Sequence, residues 1–184
     1  MTYICDKHKF IFVEVQKTAT SSFNYMFHKQ YKIKNFLYEG KITGEFNRHR
    51  TATYIKNKFS DRWKEYVTFS IVRNPWHRYA SWAKWIEDKD VDITIDIIIQ
   101  RRLSSITDFI FDKDKLIVDK ILKFENLQQE WDEFAPTISL EPKTLDHQNK
   151  TNIYDYHDYY NDKLIDMVYK KEKKIIDMMG YTYD

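Results

Sequence analysis

Short apolar runs alternate along this chain with apolar positions at helical spacing. Three runs rich in β-branched and aromatic residues, at 10–15, 66–72 and 120–124, predict strands. A polar turn and then a helical pattern follow each run. Repeated strand–helix units of this kind favour an α/β fold with a central parallel sheet flanked by helices.

Capping signals position the helix after the second strand. Asn74 can cap it, and Pro75 suits its first position. The core-facing stripe of this helix is then Trp76, Tyr79, Ala80 and Ala83. The isoleucine-rich stretch 92–110 fits either periodicity, and its length favours a helix.

A last helix is predicted from about residue 159 to Gly180, which is a typical C-terminal stop. Its apolar stripe is Leu164, Val168, Ile175 and Met179. No linker or repeat divides the chain, so one domain over residues 1–184 is expected.

Composition narrows the classes of function. Apolar residues make up 42% of the chain, enough to build a core. The net charge of +2, from 30 basic and 28 acidic residues, is too balanced for broad electrostatic binding of nucleic acid. Any anion site must therefore be local.

Targeting and metal signals are weak in this sequence. The charged N-terminus and its short apolar run predict neither a signal peptide nor a membrane span, so a cytoplasmic protein is expected. The single Cys5 excludes an internal disulfide. The six histidines show no paired ligand spacing, so no metal site is expected.

The turn after the first strand carries the strongest chemical signal. Its members are Lys17, Thr18, Ala19, Thr20, Ser21 and Ser22. A mobile ammonium and four hydroxyls can surround phosphate or sulfate oxygens where a strand leads into a helix. The alternative is an ordinary Ser/Thr-rich helix cap. The glycines and lysine of an NTPase phosphate loop are missing.

A second anion site is suggested after the second strand, where Arg73 is followed eight residues later by Ser81. Taken singly, Arg73 could form a surface ion pair and Ser81 could be a solvated helix position. Together with the first turn, they form a pattern that is more specific than either residue alone.

The segments K-T-A-T-S-S (17–22) and V-R-N-P-W-H-R-Y-A-S (72–81) resemble the two donor-binding segments of the sulfotransferase superfamily, which uses 3′-phosphoadenosine 5′-phosphosulfate (PAPS). The branch they resemble contains many carbohydrate sulfotransferases. The segments at 119–127 and 147–151 are also similar to parts of that branch. The resemblance implies a single P-loop-NTPase-like domain.

The resemblance also implies roles for individual residues. Residues 17–22 would hold the 5′-phosphosulfate, and Arg73 and Ser81 the 3′-phosphate. Asn149 and Lys150 are further candidates for donor contacts. Gln16 and Thr20 stand where the family commonly has Pro and Gly. Because Thr takes positive φ less readily than Gly, a differently shaped loop is expected at Thr20.

Catalysis would rest on Lys17 and His49. Lys17 can stabilise charge on the leaving oxygen, and a histidine suits the removal of a proton from an alcohol. His49 lies in an H-R-T-A context that resembles the family segment supplying the base. The alternative is a structural or acceptor-binding histidine, with Glu14 and Glu45 as reserve bases.

The function expected from these features is sulfuryl transfer from PAPS to a hydroxyl acceptor, with 3′,5′-adenosine bisphosphate (PAP) as product and no metal. A saccharide is the favoured acceptor, and lipids, phenols and tyrosine stay open. The alternatives are a P-loop-type kinase, for which 116–119 would be a weak magnesium-holding strand, and a non-catalytic nucleotide-binding module.

Overall fold

A four-stranded sheet lies at the centre of the fold in the computed structural model, which describes residues 2–33, 49–146 and 155–184. The strands are β1 (Tyr3–Cys5), β2 (Phe10–Val13), β3 (Val67–Val72), β4 (Phe111–Asp112), β5 (Lys115–Leu116) and β6 (Lys120–Lys123). The sheet order is β1-β2-β3-β6, and β4 and β5 form a separate hairpin. β2, β3 and β6 are parallel, whereas β1 is antiparallel to β2.

Helices lie between the parallel strands and after β6. They are α1 (Thr20–Tyr25), α2 (Ala52–Lys58), α3 (Ser60–Glu65), α4 (Pro75–Glu87), α5 (Ile95–Ile97), α6 (Ile106–Ile110), α7 (Leu127–Phe134) and α8 (Asp162–Met179). Wider π-helical turns continue α1 through Met26–Gln30 and α5 through Ile98–Arg102. Single 3₁₀ turns cover Phe124–Asn126, Ala135–Ile138 and His157–Tyr159.

The two faces of the sheet bury different side chains because neighbouring strand residues point in opposite directions. Phe10 and Phe12 of β2 pack with the aromatic residues of α1, α7 and β3. Ile11 and Val13 belong to the aliphatic cluster on the other face, which includes residues of α2, α6 and α8. The sheet is therefore covered on both faces, as its continuous apolar strands require.

These elements confirm the α/β class and the parallel sheet flanked by helices. The strands are slightly shorter than predicted, ending at Val13 and Lys123 and beginning at Val67. β1 was not predicted, because three apolar residues before a charged turn give too little periodicity. It is an edge strand that pairs antiparallel with β2.

The helix after β3 forms as its capping signals indicate. The Asn74 side chain accepts hydrogen bonds from the N–H groups of Trp76 and His77, and Pro75 is the first helical residue. All four residues of its predicted stripe are buried. This cap fixes the start of α4 directly after the end of β3.

The last helix forms as predicted, whereas the isoleucine-rich stretch is helical only in part. Asn161 caps α8, and Gly180 ends it at a φ of 67°, a left-handed conformation that glycine adopts without steric cost. The stretch 92–110 is helical but broken, because Leu103 is extended and Ser105 caps a new helix.

Within the described residues, no helix has both the length and the apolar character needed to cross a bilayer.

Candidate functional site

Three turns meet at the carboxyl edge of the sheet, since parallel strands all end on the same side. They are residues 14–19 after β2, residues 73–74 after β3 and the 3₁₀ turn Phe124–Asn126 after β6. The predicted residues Lys17 and Arg73 therefore lie in neighbouring turns.

The turn after β2 has an unusual backbone. Lys17 and Ala19 both adopt left-handed conformations with a φ of 64°. That conformation costs a residue with a Cβ atom roughly 1–2 kcal/mol. Thr20 is the first residue of α1, so positive φ occurs not at Thr20 but at Lys17 and Ala19.

Side-chain donors hold three successive carbonyls of this turn. Thr18 Oγ1 donates to Val15 O at 2.8 Å, Arg78 Nε to Gln16 O at 2.9 Å, and Arg73 Nη1 to Lys17 O at 3.3 Å. A strained backbone persists only where its surroundings over-determine it. These three bonds supply that restraint, and they engage the carbonyl oxygens, which would repel an anion.

Arg73 is buried beneath the turn. Its side chain is 8% exposed, and its guanidinium carbon lies 4.2 Å from the centre of the Phe124 ring. Its Nε has no hydrogen-bond partner among the described residues. Burial lowers the pKa of Arg73 to about 10, against the opposing charge of Glu125. The alternative of a surface ion pair for Arg73 was therefore wrong.

Two further bases lie close to Arg73. Burial and the Arg73 charge lower the pKa of Lys17 to about 8, with Asp88 acting in the opposite direction. The same two causes lower the pKa of His77 to about 4. Lys17 Nζ lies 5.5 Å from the centre of the Trp85 ring. Lys17, Arg73 and His77 thus form a cluster of basic groups at this edge of the sheet, with Asp88 and Glu125 as opposing charges.

The predicted hydroxyl residues lie in the turn after β2, in α1 and in α4. Thr18 and Ser22 are buried, and Thr20 and Ser21 are half-buried in the first turn of α1. Ser81 is 2% exposed in α4, so the alternative of a solvated helix position was wrong. Asn149 and Lys150 lie outside the described residues.

His49 is paired with a buried carboxylate. Its Nδ1 lies 3.1 Å from Glu14 Oε2, and the side chains of His49 and Glu14 are 20% and 1% exposed. Asn24 Nδ2 donates to the other Glu14 oxygen at 3.0 Å. Glu14, one of the reserve bases, is therefore placed to orient His49 rather than to reach an acceptor. Glu45 lies outside the described residues.

Comparison with known proteins identifies the family of this chain. The model of the sulfotransferase family matches residues 1–103, which is more than half of the chain. The chain belongs to the sulfotransferase family. The match spans residues 17–22, residues 72–81 and His49, and it is consistent with the resemblance to the carbohydrate branch. Comparisons with curated proteins and with solved structures each found no match.

The part of this sulfotransferase beyond residue 103 completes the same fold. β6 pairs with β3, and α8 packs against α4 and α6. The segment 116–119 does not continue as a strand, and the Asp119 carboxylate accepts hydrogen bonds from Thr68 N at 2.8 Å and Thr68 Oγ1 at 2.7 Å. Asp119 therefore joins this segment to β3, and the magnesium-holding strand of the kinase alternative loses its support.

Sequence reasoning missed Glu172, the most heavily bonded carboxylate near the site. It is fully buried in α8 and bonds to Arg78, which holds the Gln16 carbonyl. A signal was present, because position 172 lies in phase with the apolar stripe of Leu164, Val168, Ile175 and Met179. A carboxylate on a core-facing stripe indicates a buried partner.

The burial of Lys17 predicts that this sulfotransferase gains stability when the ammonium is removed. The folded pKa of about 8 lies below the ordinary value of 10.5, so the unfolded state binds more protons between those values and stability rises with pH there. Lys17→Met should therefore raise the melting temperature at pH 7, and the gain should shrink as the pH rises from 8 to 10.

Thermal melts of both proteins from pH 6 to 10 measure this difference. Lys7→Met, in the exposed turn between β1 and β2, is the matched control and should change the melting temperature little at any pH. An unchanged or lowered melting temperature for Lys17→Met at pH 7 would contradict the burial cost assigned to Lys17.

Proposed function

We propose that this sulfotransferase moves the sulfuryl group of PAPS to a hydroxyl acceptor. The observation that carries the proposal is the pair of basic side chains at the carboxyl edge of the sheet, the half-buried Lys17 and the buried Arg73, whose pKa values are lowered by burial. An anionic ligand with two charged ends offsets these two positive charges, one at each turn.

The turn after β2 suits the 5′-phosphosulfate. Its carbonyls from 15 to 17 are already bonded to side chains, so its N–H groups are the backbone groups left to face an anion. The N–H group of Thr20 lies in the first turn of α1, where a helix offers no backbone acceptor. The hydroxyls of Thr20, Ser21 and Ser22 are further candidate donors, whereas the Thr18 hydroxyl already donates to Val15 O.

The turn after β3 suits the 3′-phosphate. Arg73 is almost fully buried and its Nε meets no hydrogen-bond partner in the described part of the chain, and Ser81 is buried further along α4. A planar guanidinium is well matched to phosphate oxygens. We assign Asn149 and Lys150 as additional donor contacts, from the resemblance of segment 147–151 to the family.

The chemistry follows from the positions of these groups. The acceptor oxygen attacks sulfur while the bond from sulfur to the bridging phosphate oxygen breaks, and the products are a sulfate ester and PAP. Lys17 stabilises the negative charge that grows on the bridging oxygen. Positioning and charge stabilisation therefore account for catalysis, and no metal takes part.

His49 takes the proton that the acceptor hydroxyl loses. The buried Glu14 carboxylate at His49 Nδ1 orients the ring and stabilises its charged form, which leaves Nε2 as the atom that accepts the proton.

The acceptor is a saccharide in this proposal, as in the branch that the chain resembles. The domain that performs the reaction extends over residues 1–184.

Ligand-dependent melting tests the donor. PAP without magnesium should stabilise the protein by about 2.7 kcal/mol at a hundred times its dissociation constant. Lys17→Met should keep its fold, lose most of this stabilisation and lose sulfuryl transfer. Arg73→Ala should mainly weaken PAP binding. Stabilisation by Mg-ATP alone would instead favour the kinase, and PAP binding without turnover on any acceptor would favour a non-catalytic module.

Replacement of the base should separate catalysis from binding. His49→Ala is expected to lower turnover by about 10²–10⁴-fold, the usual contribution of a general base, with little change in PAP affinity. The readout is transfer from labelled PAPS to a saccharide library, followed by mass spectrometry. His8→Ala, in the turn at the opposite end of β2, is the matched control and should retain activity. Native turnover in His49→Ala would assign the base role to another residue.

A further inference from the structure

A buried polar cluster joins α8 to the turn after β2. Arg78 and Glu172 are both fully buried, and Arg78 Nη1 lies 3.2 Å from Glu172 Oε1. Arg78 has two more acceptors, since Nε donates to Gln16 O at 2.9 Å and Nη2 donates to Ser104 O at 2.9 Å. One planar side chain thus links the donor-binding turn, α8 and the residue before the cap of α6.

Glu172 is held from several sides. Tyr79 OH donates to Oε1 at 3.0 Å, Ser105 Oγ to Oε2 at 2.9 Å, and Ile106 N to Oε2 at 3.0 Å. These donors come from α4 and from the start of α6. Burial raises the pKa of Glu172, and Arg78 and the surrounding donors oppose that shift. The carboxylate is fixed in place, and it fixes the guanidinium in turn.

The bond to Gln16 is the part of this cluster that reaches the donor site. Gln16 precedes Lys17, the first of the two left-handed residues in the turn. Release of the Gln16 carbonyl would allow this peptide to rotate, and the neighbouring strain favours such a rotation. A rotated carbonyl would face the sulfuryl oxygens and would move the backbone that carries Lys17.

We propose that Arg78, fixed by Glu172, is a positioning residue that sets the backbone of the turn at Gln16 and Lys17 for donor binding. The proposal rests on the proposed function for the identity of the donor, but its structural part concerns the turn alone. Glu172 lies outside the segment that matches the family model. The C-terminal helix is therefore part of the donor-binding apparatus.

The test must separate positioning from simple stability. Removing Arg78 alone would leave a buried, unpaired carboxylate and could unfold the chain. The double variant Arg78→Met/Glu172→Gln removes both charges, while the amide oxygen can still accept from Tyr79 and Ile106. Replacing both partners of a buried ion pair is often neutral for stability. The backbone carbonyls that lose a donor are Gln16 O and Ser104 O, and only Gln16 lies in the turn after β2.

Tyr79→Phe is the matched control. It removes one hydrogen bond to Glu172 and leaves the three acceptors of Arg78 in place. Arg78→Lys gives the conservative comparison, because a single ammonium cannot reproduce a planar fork with three separate acceptors. Melting temperatures of all variants are measured first, so that binding is compared among folded proteins.

PAP affinity and amide hydrogen exchange test the positioning role of Arg78. PAP affinity by calorimetry should fall about tenfold or more in the double variant and in Arg78→Lys, since a hydrogen bond to a charged group is typically worth that factor. Tyr79→Phe should bind PAP with native affinity even if its melting temperature falls. Amide hydrogen exchange of a peptide covering residues 16–22 should be faster only in the two Arg78 variants.

Native PAP affinity and native exchange in a folded double variant would overturn the positioning role. A loss of affinity in Tyr79→Phe as large as in the double variant would also overturn it, because stability alone would then explain the effect. If the unaltered protein binds no PAP, the proposed donor is wrong, and the exchange of residues 16–22 still decides the role of Arg78.

Discussion

Two arginine side chains hold the backbone on which the rest of the site depends. Arg73 and Arg78 donate to the carbonyls of Lys17 and Gln16, in a turn where two residues adopt left-handed conformations. Glycines could relieve that strain, but this turn contains none. The strained conformation is instead maintained by buried hydrogen-bond donors, so the proposed donor-binding turn depends on the packing of α4 and α8 behind it.

The partners of these basic side chains bear on the burial of positive charge near the turn after β2. Removing charged side chains from water costs free energy, and the lowered pKa values of Lys17 and Arg73 record that cost. Arg78 is bonded to Glu172 and to two carbonyl oxygens, whereas Glu125 and Asp88 are the opposing charges near Arg73 and Lys17. Arg78 is thus held by partners within the fold, and we propose that Lys17 and Arg73 face the anionic donor.

Local patterns were sufficient to predict the elements but not every contact of the site. Periodicity and capping located β2, β3, β6 and the start of α4, because those signals act between residues close in sequence. Glu14 and His49 are far apart in sequence, and no local spacing encodes their pairing. Likewise Glu172 meets Arg78 only because α8 packs on α4, although its position on an apolar stripe could have indicated burial. The conformation of Ala19 was assigned to Thr20, one residue too late, since the sequence does not mark where the turn ends and α1 begins.

The account rests on a turn whose amides face one end of a bisphosphorylated adenosine while Arg73 faces the other. A crystal structure of the protein with PAP measures this most directly. The account predicts the 5′-phosphate within hydrogen-bond distance of the amides of residues 18–22, the 3′-phosphate at Arg73 and Ser81, and the Gln16 and Lys17 carbonyls still bonded to Arg78 and Arg73. A nucleotide bound at another edge of the sheet, or carbonyls of this turn directed at the phosphate, would contradict it.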